Sequence, residues 1–456
     1  MSFHQDGGSY GVPEGALRSV NGRNDPSNEK AMPAIDRREV SHRSLNRVAA
    51  PGEPSVRVTA FERFVIRRLL HFTGDPHLAI VFGDEAFEPA KERAAYFIRI
   101  LDRSTLYKLY WDPEYWFFEG YSQGTIEISG ELVGLLNTLK RRFSLNPQPV
   151  STFEESIRKY RRHRRGRLRQ GNVAYHYDLG NDFYRLWLDD QLLYTCAYFE
   201  SDSLSLEAAQ IAKMDYVCRK LRLRPGERVI EAGCGWGALA LHMARHYGVH
   251  VRAFNLSQEQ LTYARDRAKH DGLATSVEFI EADWSEITGS CDAFVSVGML
   301  EHVGPENYPH LGRVICNSLV PSGRGLIHTI GQNTPEPLSS WIEQRIFPGA
   351  QPPTLQQMLE LFTPYNLSVL DVENLRSHYA ETLRHWLLRF EQSADVIVAM
   401  FDERFVRTWR IYLASSLSAF EVGSLQLYQV LFEPTGANSL PATRIDLYCE
   451  EHRPAG

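Results

Sequence analysis

RVIEAGCGWGALALHMARHYG, residues 228–248, is the passage around which the rest of the chain can be organised. RVIEAG is a short apolar run that reads as a buried strand. GALALHMARHYG has apolar residues at helical spacing and closes on glycine, the usual helix stop. Between them stands GCGWG, with Gly233, Gly235 and Gly237 at the turn. Glycine permits positive φ and lets a ligand approach the backbone closely, as the carboxyl end of a first strand in an open α/β sheet demands. The spacing lacks the G-x-G-x-x-G register of dinucleotide binders, and no Lys-Ser/Thr pair follows as in a phosphate-binding loop. A phosphate-free adenosyl ligand, S-adenosylmethionine, suits such a turn. A tight strand-to-helix connection with no ligand is the plainer alternative.

Strand and helix signals alternate onward from there. VHVRAFNLS, SVEFIEADW, CDAFVSVGML and RGLIHTIG read as strands, SQEQLTYARDRAKHDG and ENYPHLGRVICNSL as helices, and SLQLYQVLF as a late strand completing the sheet. Alternation of this kind implies an α/β, doubly wound sheet with a mostly parallel core. Two more strand ends are polar. The run from Asn255 to Gln260 can reach ribose hydroxyls, Asp283 can accept from an adenine amine, and Trp284 can lie against the ring. Residues 332–364 are rich in proline and irregular, and read as a lid or an insertion lining the site.

The 456 residues are 43% hydrophobic, enough for two or three domains. The net charge of −6 excludes a global attraction to nucleic acid or membrane, so an anionic partner must meet a local patch. One such patch is IRKYRRHRRGRLRQ, residues 157–170. It reads either as a solvated linker or as a contact for anionic lipid head groups. No basic–aromatic interleaving supports nucleic acid as a partner. The six cysteines have no metal-like spacing and read as free thiols of a reducing compartment. There is no signal-like apolar stretch at the start and no apolar run long enough to span a bilayer, so membrane contact is expected to be peripheral. Residues 1–56 have the composition of a disordered tail. Residues 57–145 read as a small separate domain: FERFVIRRLLHF is an amphipathic helix, RAAYFIRIL a helix or a strand, and ELVGLLNTL another helix. The aromatic block YKLYWDPEYWFFEGY within it suits either a core or a lipid contact. A basic linker over 146–172 then leads to a catalytic domain over 173–456.

The stretch AYHYDLGNDFYRLWLDDQLLYTCAYFE, residues 174–200, is the most specific in the chain. Together HYDLGNDFY, YTCAYF, GCGWG, SVGMLEHVG (296–304), LIHTIG (326–331), IFPG (346–349) and the region of Tyr379 resemble the cyclopropane-fatty-acyl-phospholipid synthase family, which includes the mycolic acid cyclopropane synthases. The resemblance covers residues 100–434. It implies the class I S-adenosylmethionine-dependent methyltransferase (Rossmann-like) fold with a small N-terminal domain, for which the aromatic block leaves lipid binding open. It implies transfer of a methylene from S-adenosylmethionine to the cis double bond of an unsaturated phospholipid acyl chain, at the inner face of a membrane, and is compatible with a homodimer. It places Tyr194 and Thr195 at the cofactor, Gly233, Gly235 and Gly237 under its methionine part, and Asn255, Leu256, Ser257 and Gln260 along the ribose, with Trp284 near the adenine. A bicarbonate ion beside the reacting carbon would be held by Cys196, Glu301, His328 and Tyr379 and by the backbone of Gly298 and Ile330.

Such a set suits the chemistry. An isolated alkene is a weak nucleophile, and its alkylation leaves a carbocation that must lose a proton at once in a water-poor pocket. Aromatic faces such as Tyr194, Phe199, Trp341 and Tyr379 can stabilise the positive charge. Each residue also has a plain reading: Cys196 as a small buried hydrophobe, His328 as a satisfied core histidine, and Tyr379 as an ordinary helix residue. The chain departs from the family with Glu231-Ala232 before GCGWG, Asn255 in place of threonine, Thr195 in place of serine, and Ser416 where some members have cysteine. A lipid C-methyltransferase leaving a methyl or methylene branch, and a non-catalytic lipid-binding homologue, are the alternative functions.

Overall fold

The computed structural model describes residues 57–74, 77–88, 94–145 and 179–448. The tail over 1–56, the linker over 146–172 and the His176–Asp178 part of HYDLGNDFY lie outside the described residues.

The N-terminal region carries β1 (Leu78–Phe82), β2 (Glu85–Phe87), β3 (Tyr96–Ile100) and β4 (Ile126–Ser129), in the order β2-β1-β3-β4. RAAYFIRIL thus forms a strand: Ile98 and Ile100 are buried and Arg99 between them is exposed, the alternation of a half-buried strand. The helix Ala60–Thr73 is started by a capping box, with Thr59 Oγ1 accepting from the Glu62 N–H and the Glu62 carboxylate accepting from the Thr59 N–H. It buries Val65, Ile66, Leu69 and Leu70, yet turns Phe61 and Phe64 outward at 56% and 54% exposure.

The second sheet holds β5 (Arg228–Ala232), β6 (His250–Asn255), β7 (Val277–Glu281), β8 (Cys291–Val297), β9 (Leu319–Gly331), β10 (Leu367–Asn374) and β11 (Gln426–Pro434). Their order is β10-β11-β9-β8-β5-β6-β7, and only β11 runs antiparallel to its neighbours. The order reverses at β5, so the crevice at its carboxyl end is a topological switch point, where open α/β sheets take their ligands.

Alternating side chains divide the two faces of this sheet. Val229, Val251, Val295, Leu326 and Leu431 pack in one core with the helices Leu206–Leu221, Ala238–Tyr247 and Gln258–His270. Ile230, Phe254, Phe294, Ile327, Val430 and Phe432 pack in another with the helix Tyr308–Ser318. The period of two therefore turns Glu231, His328 and Gln429 toward the helix Leu206–Leu221.

A third core is aromatic. Phe183, Trp187, Trp386 and Trp409 are buried in it, with the helices Arg376–Gln392 and Glu403–Val422 supplying much of the wall. Truncating one such tryptophan to alanine costs about 3–5 kcal/mol. Tyr115, Phe118, Tyr121 and Leu136 of the N-terminal region join this core, so the expected separateness of that region does not extend to its packing. Glu119 adds a buried polar clamp, accepting from Trp341 Nε1 at 3.0 Å, Arg345 Nη2 at 2.6 Å and Arg404 Nη2 at 3.3 Å. Residues 332–364 are less irregular than their composition implies, because they hold the helices Ser340–Arg345 and Leu355–Met358. Trp341 is an anchor, fully buried and stacked on Phe118 with ring centroids 5.3 Å apart. Among the described residues no helix is long and apolar enough to cross a membrane.

Candidate active site

At the end of β5 the chain turns through GCGWG into the helix Ala238–Tyr247. Gly235 has φ 54°, and a Cβ there would meet nothing within 4 Å, so the backbone faces open space. Gly237, at φ 81°, is required for a different reason: a Cβ would lie 2.6 Å from the Phe279 ring. Gly233, at φ 85°, is closed by packing as well, a Cβ there falling 2.9 Å from the Met299 side chain, so Gly235 is the one of the three whose backbone stays open.

Asn255, at the end of β6, stitches this loop to the next helix. Its amide donates to Gly235 O at 3.2 Å and Gln260 Oε1 at 2.8 Å, and its carbonyl accepts from the Leu256 N–H at 2.8 Å. Ser257 caps the helix Gln258–His270 by accepting from Gln260 N. Leu256 projects outward beside them at 63% exposure. Asp283 caps the short 3-10 turn Trp284–Glu286, accepting from the N–H and the hydroxyl of Ser285. One of its oxygens is engaged there before any ligand is considered. The Trp284 ring meets His310 edge-on at 5.2 Å.

The stretch Tyr194–Phe199 is held from two sides. From one side the helix Leu206–Leu221 supports it, with Gln210 Nε2 donating to Leu193 O and Thr195 O, and Lys213 Nζ donating to Thr195 Oγ1 at 2.8 Å. From the other side comes the helix Arg376–Gln392, where Thr382 Oγ1 accepts from Ala197 N at 3.0 Å and His378 Nδ1 accepts from Phe199 N at 3.1 Å. Tyr379 lies one turn before Thr382 on this helix, its ring packed against Phe420 and Trp386. The Tyr194 and Tyr412 hydroxyls share a hydrogen bond of 2.7 Å, and the Tyr194 ring stands among Tyr184, Trp187 and Trp386. Phe199 stacks on His385, a partner not foreseen from sequence.

Cys196 is buried, and burial pushes its thiol well up despite the nearby Lys213 ammonium. It is a neutral thiol and no nucleophile. Lys213 is itself buried, opposite Asp189, Cys196 and Glu231; burial lowers its ammonium and raises the Glu231 carboxyl. These two helix residues, Gln210 and Lys213, were missed in the sequence. Their signal was present: in LEAAQIAKMDYVCRKL, Gln210, Lys213 and Lys220 fall on the stripe marked by Leu206, Ala209, Val217 and Leu221, which is buried.

Glu301 follows β8 in a 3-10 turn, and its Oε1 accepts from Ile330 N at 2.6 Å. Burial pushes its carboxyl up to about 7. The Gly298 N–H donates to His328 O at 2.9 Å. Both N–H groups thus have partners within the protein, Gly298 with His328 O and Ile330 with Glu301 Oε1. His328 is buried in β9, and burial together with the Lys213 and Lys220 charges holds it well below the ordinary histidine range, hence neutral. Among the described residues, Glu301 Oε2 and His328 Nε2 are buried without a hydrogen-bond partner. Orphaned polar atoms of this kind need an account, and an ion or water supplies one. No cluster of metal-binding side chains occurs among the described residues.

Residues 164–430 match the family described as mycolic acid cyclopropane synthetase. The chain belongs to this family. A probable fatty acid methyltransferase of Pseudomonas putida is 35% identical over 72% of this chain and 85% of its own length. The cyclopropane-fatty-acyl-phospholipid synthase of Escherichia coli (strain K12) is 39% identical over 59% of this chain and 69% of its own. Among solved structures, a mycolic acid cyclopropane synthase complexed with SAH and CTAB is 31% identical with a TM-score of 0.55, over 57% of this chain and 96% of that one. This synthetase-family chain thus has the class I methyltransferase fold, as its switch-point sheet implied, and is an S-adenosylmethionine-dependent transferase. The open backbone at Gly235 fits that cofactor.

Proposed function

We propose that this transferase adds a methylene carbon across the cis double bond of an unsaturated phospholipid acyl chain, closing a cyclopropane ring, with bicarbonate as the base. The observation that supports this reading is the pair of buried atoms Glu301 Oε2 and His328 Nε2, unpartnered among the described residues, which a small polar ligand would satisfy.

S-adenosylmethionine supplies, when bound, an electrophilic methyl group. Gly233, Gly235 and Gly237 would underlie its methionine part, with Tyr194 and Thr195 alongside. Asn255, Leu256, Ser257 and Gln260 would line the ribose, and Asp283 and Trp284 the adenine. Bicarbonate supplies a mobile base, for which Cys196, Glu301, His328 and Tyr379 are the side-chain ligands. Glu301, poised near neutrality, donates to an anion when protonated and so avoids repelling it. Tyr194 and Tyr379 face positive charge developing on the acyl chain with ring π-systems. Burial of Cys196, Glu301, His328 and Tyr379 would keep water from capturing that charge.

A lipid surface is the natural source of such a substrate. The outward Phe61 and Phe64, with exposed Arg67 and Arg68 on the same helix, combine aromatic and basic groups suited to an anionic interface. The enzyme would thus work in the cytoplasm at the inner face of the membrane.

The test is incubation of the purified protein with S-adenosylmethionine and vesicles of mixed cis-unsaturated phospholipids, followed by mass spectrometry and proton NMR of the lipids. Loss of alkene protons with gain of ring methylene signals is expected. A methyl or methylene branch would instead support the second reading, which the name of the Pseudomonas putida relative favours. Lipids recovered unchanged would refute both.

A further inference from the structure

His328 is the centre of a polar row that crosses three strands. In the sheet it stands directly opposite Gln429 of β11, and Gln429 stands opposite Glu373 of β10. The helix Leu206–Leu221 covers this row with Lys220, whose ammonium pairs with the Glu373 carboxylate and donates to Gln429 Oε1 at 2.7 Å. Gln429 Nε2 lies 3.0 Å from His328 Nδ1. His328, Gln429 and Lys220 are each nearly inaccessible to water, and only the Glu373 end of the row is partly exposed.

The donor and acceptor roles along this row follow from the Lys220 charge, which the paired Glu373 carboxylate supports against burial, and from valence. An ammonium can only donate, so Gln429 must turn its carbonyl oxygen to Lys220. Its amide NH2 then faces His328, and Nδ1 must accept. A neutral imidazole that accepts at Nδ1 carries its proton at Nε2, the atom with no partner among the described residues.

We infer that Gln429, oriented by the Glu373–Lys220 ion pair, is the positioning residue that fixes His328 as the Nε2–H tautomer, so that the site presents a hydrogen-bond donor to an anion. For bicarbonate as the anion, this rests on the reading proposed above. A donor at this atom completes what an anion needs beside Glu301, and a lone pair there would repel it. Residues that orient a metal-ligating histidine through its other nitrogen typically affect affinity by about 10–100-fold, and the same scale is expected for an anion here.

Gln429→Glu reverses the geometry, because a carboxylate accepts from Nδ1–H and leaves a lone pair on Nε2. The experiment is 15N NMR of histidine-labelled full-length protein, with the His328 signal assigned by its loss in His328→Gln, and with 13C-bicarbonate titrated into each sample. The native protein should show Nε2 protonated and Nδ1 bare. Gln429→Glu should move the proton to Nδ1 and weaken bicarbonate about 10–100-fold, with S-adenosylmethionine affinity retained as the control for folding. Should Gln429→Glu fail that control, Lys220→Gln removes the donor-only partner, lets the amide reverse, and should give a mixture of tautomers. A bare Nε2 in the native protein, or an unchanged tautomer in the folded variants, would overturn the inference. An Nε2–H tautomer in a native protein that binds no bicarbonate would leave the row intact and sink the base instead.

Discussion

Glu301→Gln keeps the shape of the site and removes its titratable group. In the native protein the carboxyl is buried, tied through Oε1 to the Ile330 N–H, and raised by burial. Raising it from the ordinary 4.5 to about 7 means that the ionised form costs the fold about 3 kcal/mol. The sign follows from proton counting. Between pH 4.5 and about 7 the folded chain holds a proton at Glu301 that the unfolded chain has released. Native stability therefore falls as pH rises through that window. Glutamine can still accept from Ile330 N and never ionises, so the variant should match the native protein near pH 4.5 and exceed it by about 3 kcal/mol above pH 7. Glu231 titrates in both proteins and cancels from the difference. Turnover should move the other way, down by about 10²–10⁴-fold if the group serves the base, with cofactor affinity unchanged. Urea denaturation at several pH values, cofactor titration and lipid turnover are the assays. A variant that is less stable at pH 8, or one that turns over normally, would refute the reasoning. The first outcome would make the carboxylate structural and the second would remove it from the chemistry.

Lys213→Met should destabilise the protein and lower turnover, since it strips the counter-charge from buried Glu231 and Asp189 and the donor from Thr195. Adding Glu231→Gln should recover part of the loss, and a strictly additive pair by chemical denaturation would disprove the coupling. Glu119→Gln should loosen the N-terminal region from residues 340–345. Its cost should fall below the about 3–5 kcal/mol of a fully buried pair, because Arg345 and Arg404 are partly in water. Unchanged proteolysis at residues 332–339 would argue against the clamp. Anionic vesicles should bind the protein less tightly as salt rises, and Phe61→Ser with Phe64→Ser should weaken that binding without lowering thermal stability. Replacing Arg161, Arg162, Arg164 and Arg165 by alanine tests the basic linker separately, and retention of full binding in both variants would remove this face and the linker from the account.

The strand RVIEAG, the GCGWG turn and the alternation after it were legible because both signals are local. A buried strand is mostly apolar, and a turn at positive φ favours glycine, largely independent of what surrounds them. Glu301 could be singled out for the same reason, as a carboxylate at the carboxyl end of a core strand. Sequence gives the conformation of Gly237 but cannot show that the Phe279 ring fills the space beside it. Trp341 reads from sequence as an aromatic face for positive charge, and sequence cannot show that its indole N–H donates to Glu119, 222 residues away. RAAYFIRIL was ambiguous until pairing with β1 and β4 made it a strand.

What tertiary structure alone decided is the state of each site group. Lys213 and Lys220 sit on one helix, His328 on β9 and Gln429 on β11, and the primary sequence carries no record of which of these face each other. Their proximity arises only when the helix Leu206–Leu221 packs on the sheet. Desolvation and charge then act across that interface to hold Cys196 as a thiol and His328 neutral. Sequence determines which atoms can ionise or donate. The protonation states, and with them the chemistry, depend on through-space distance and exclusion of water, which exist only in the folded chain.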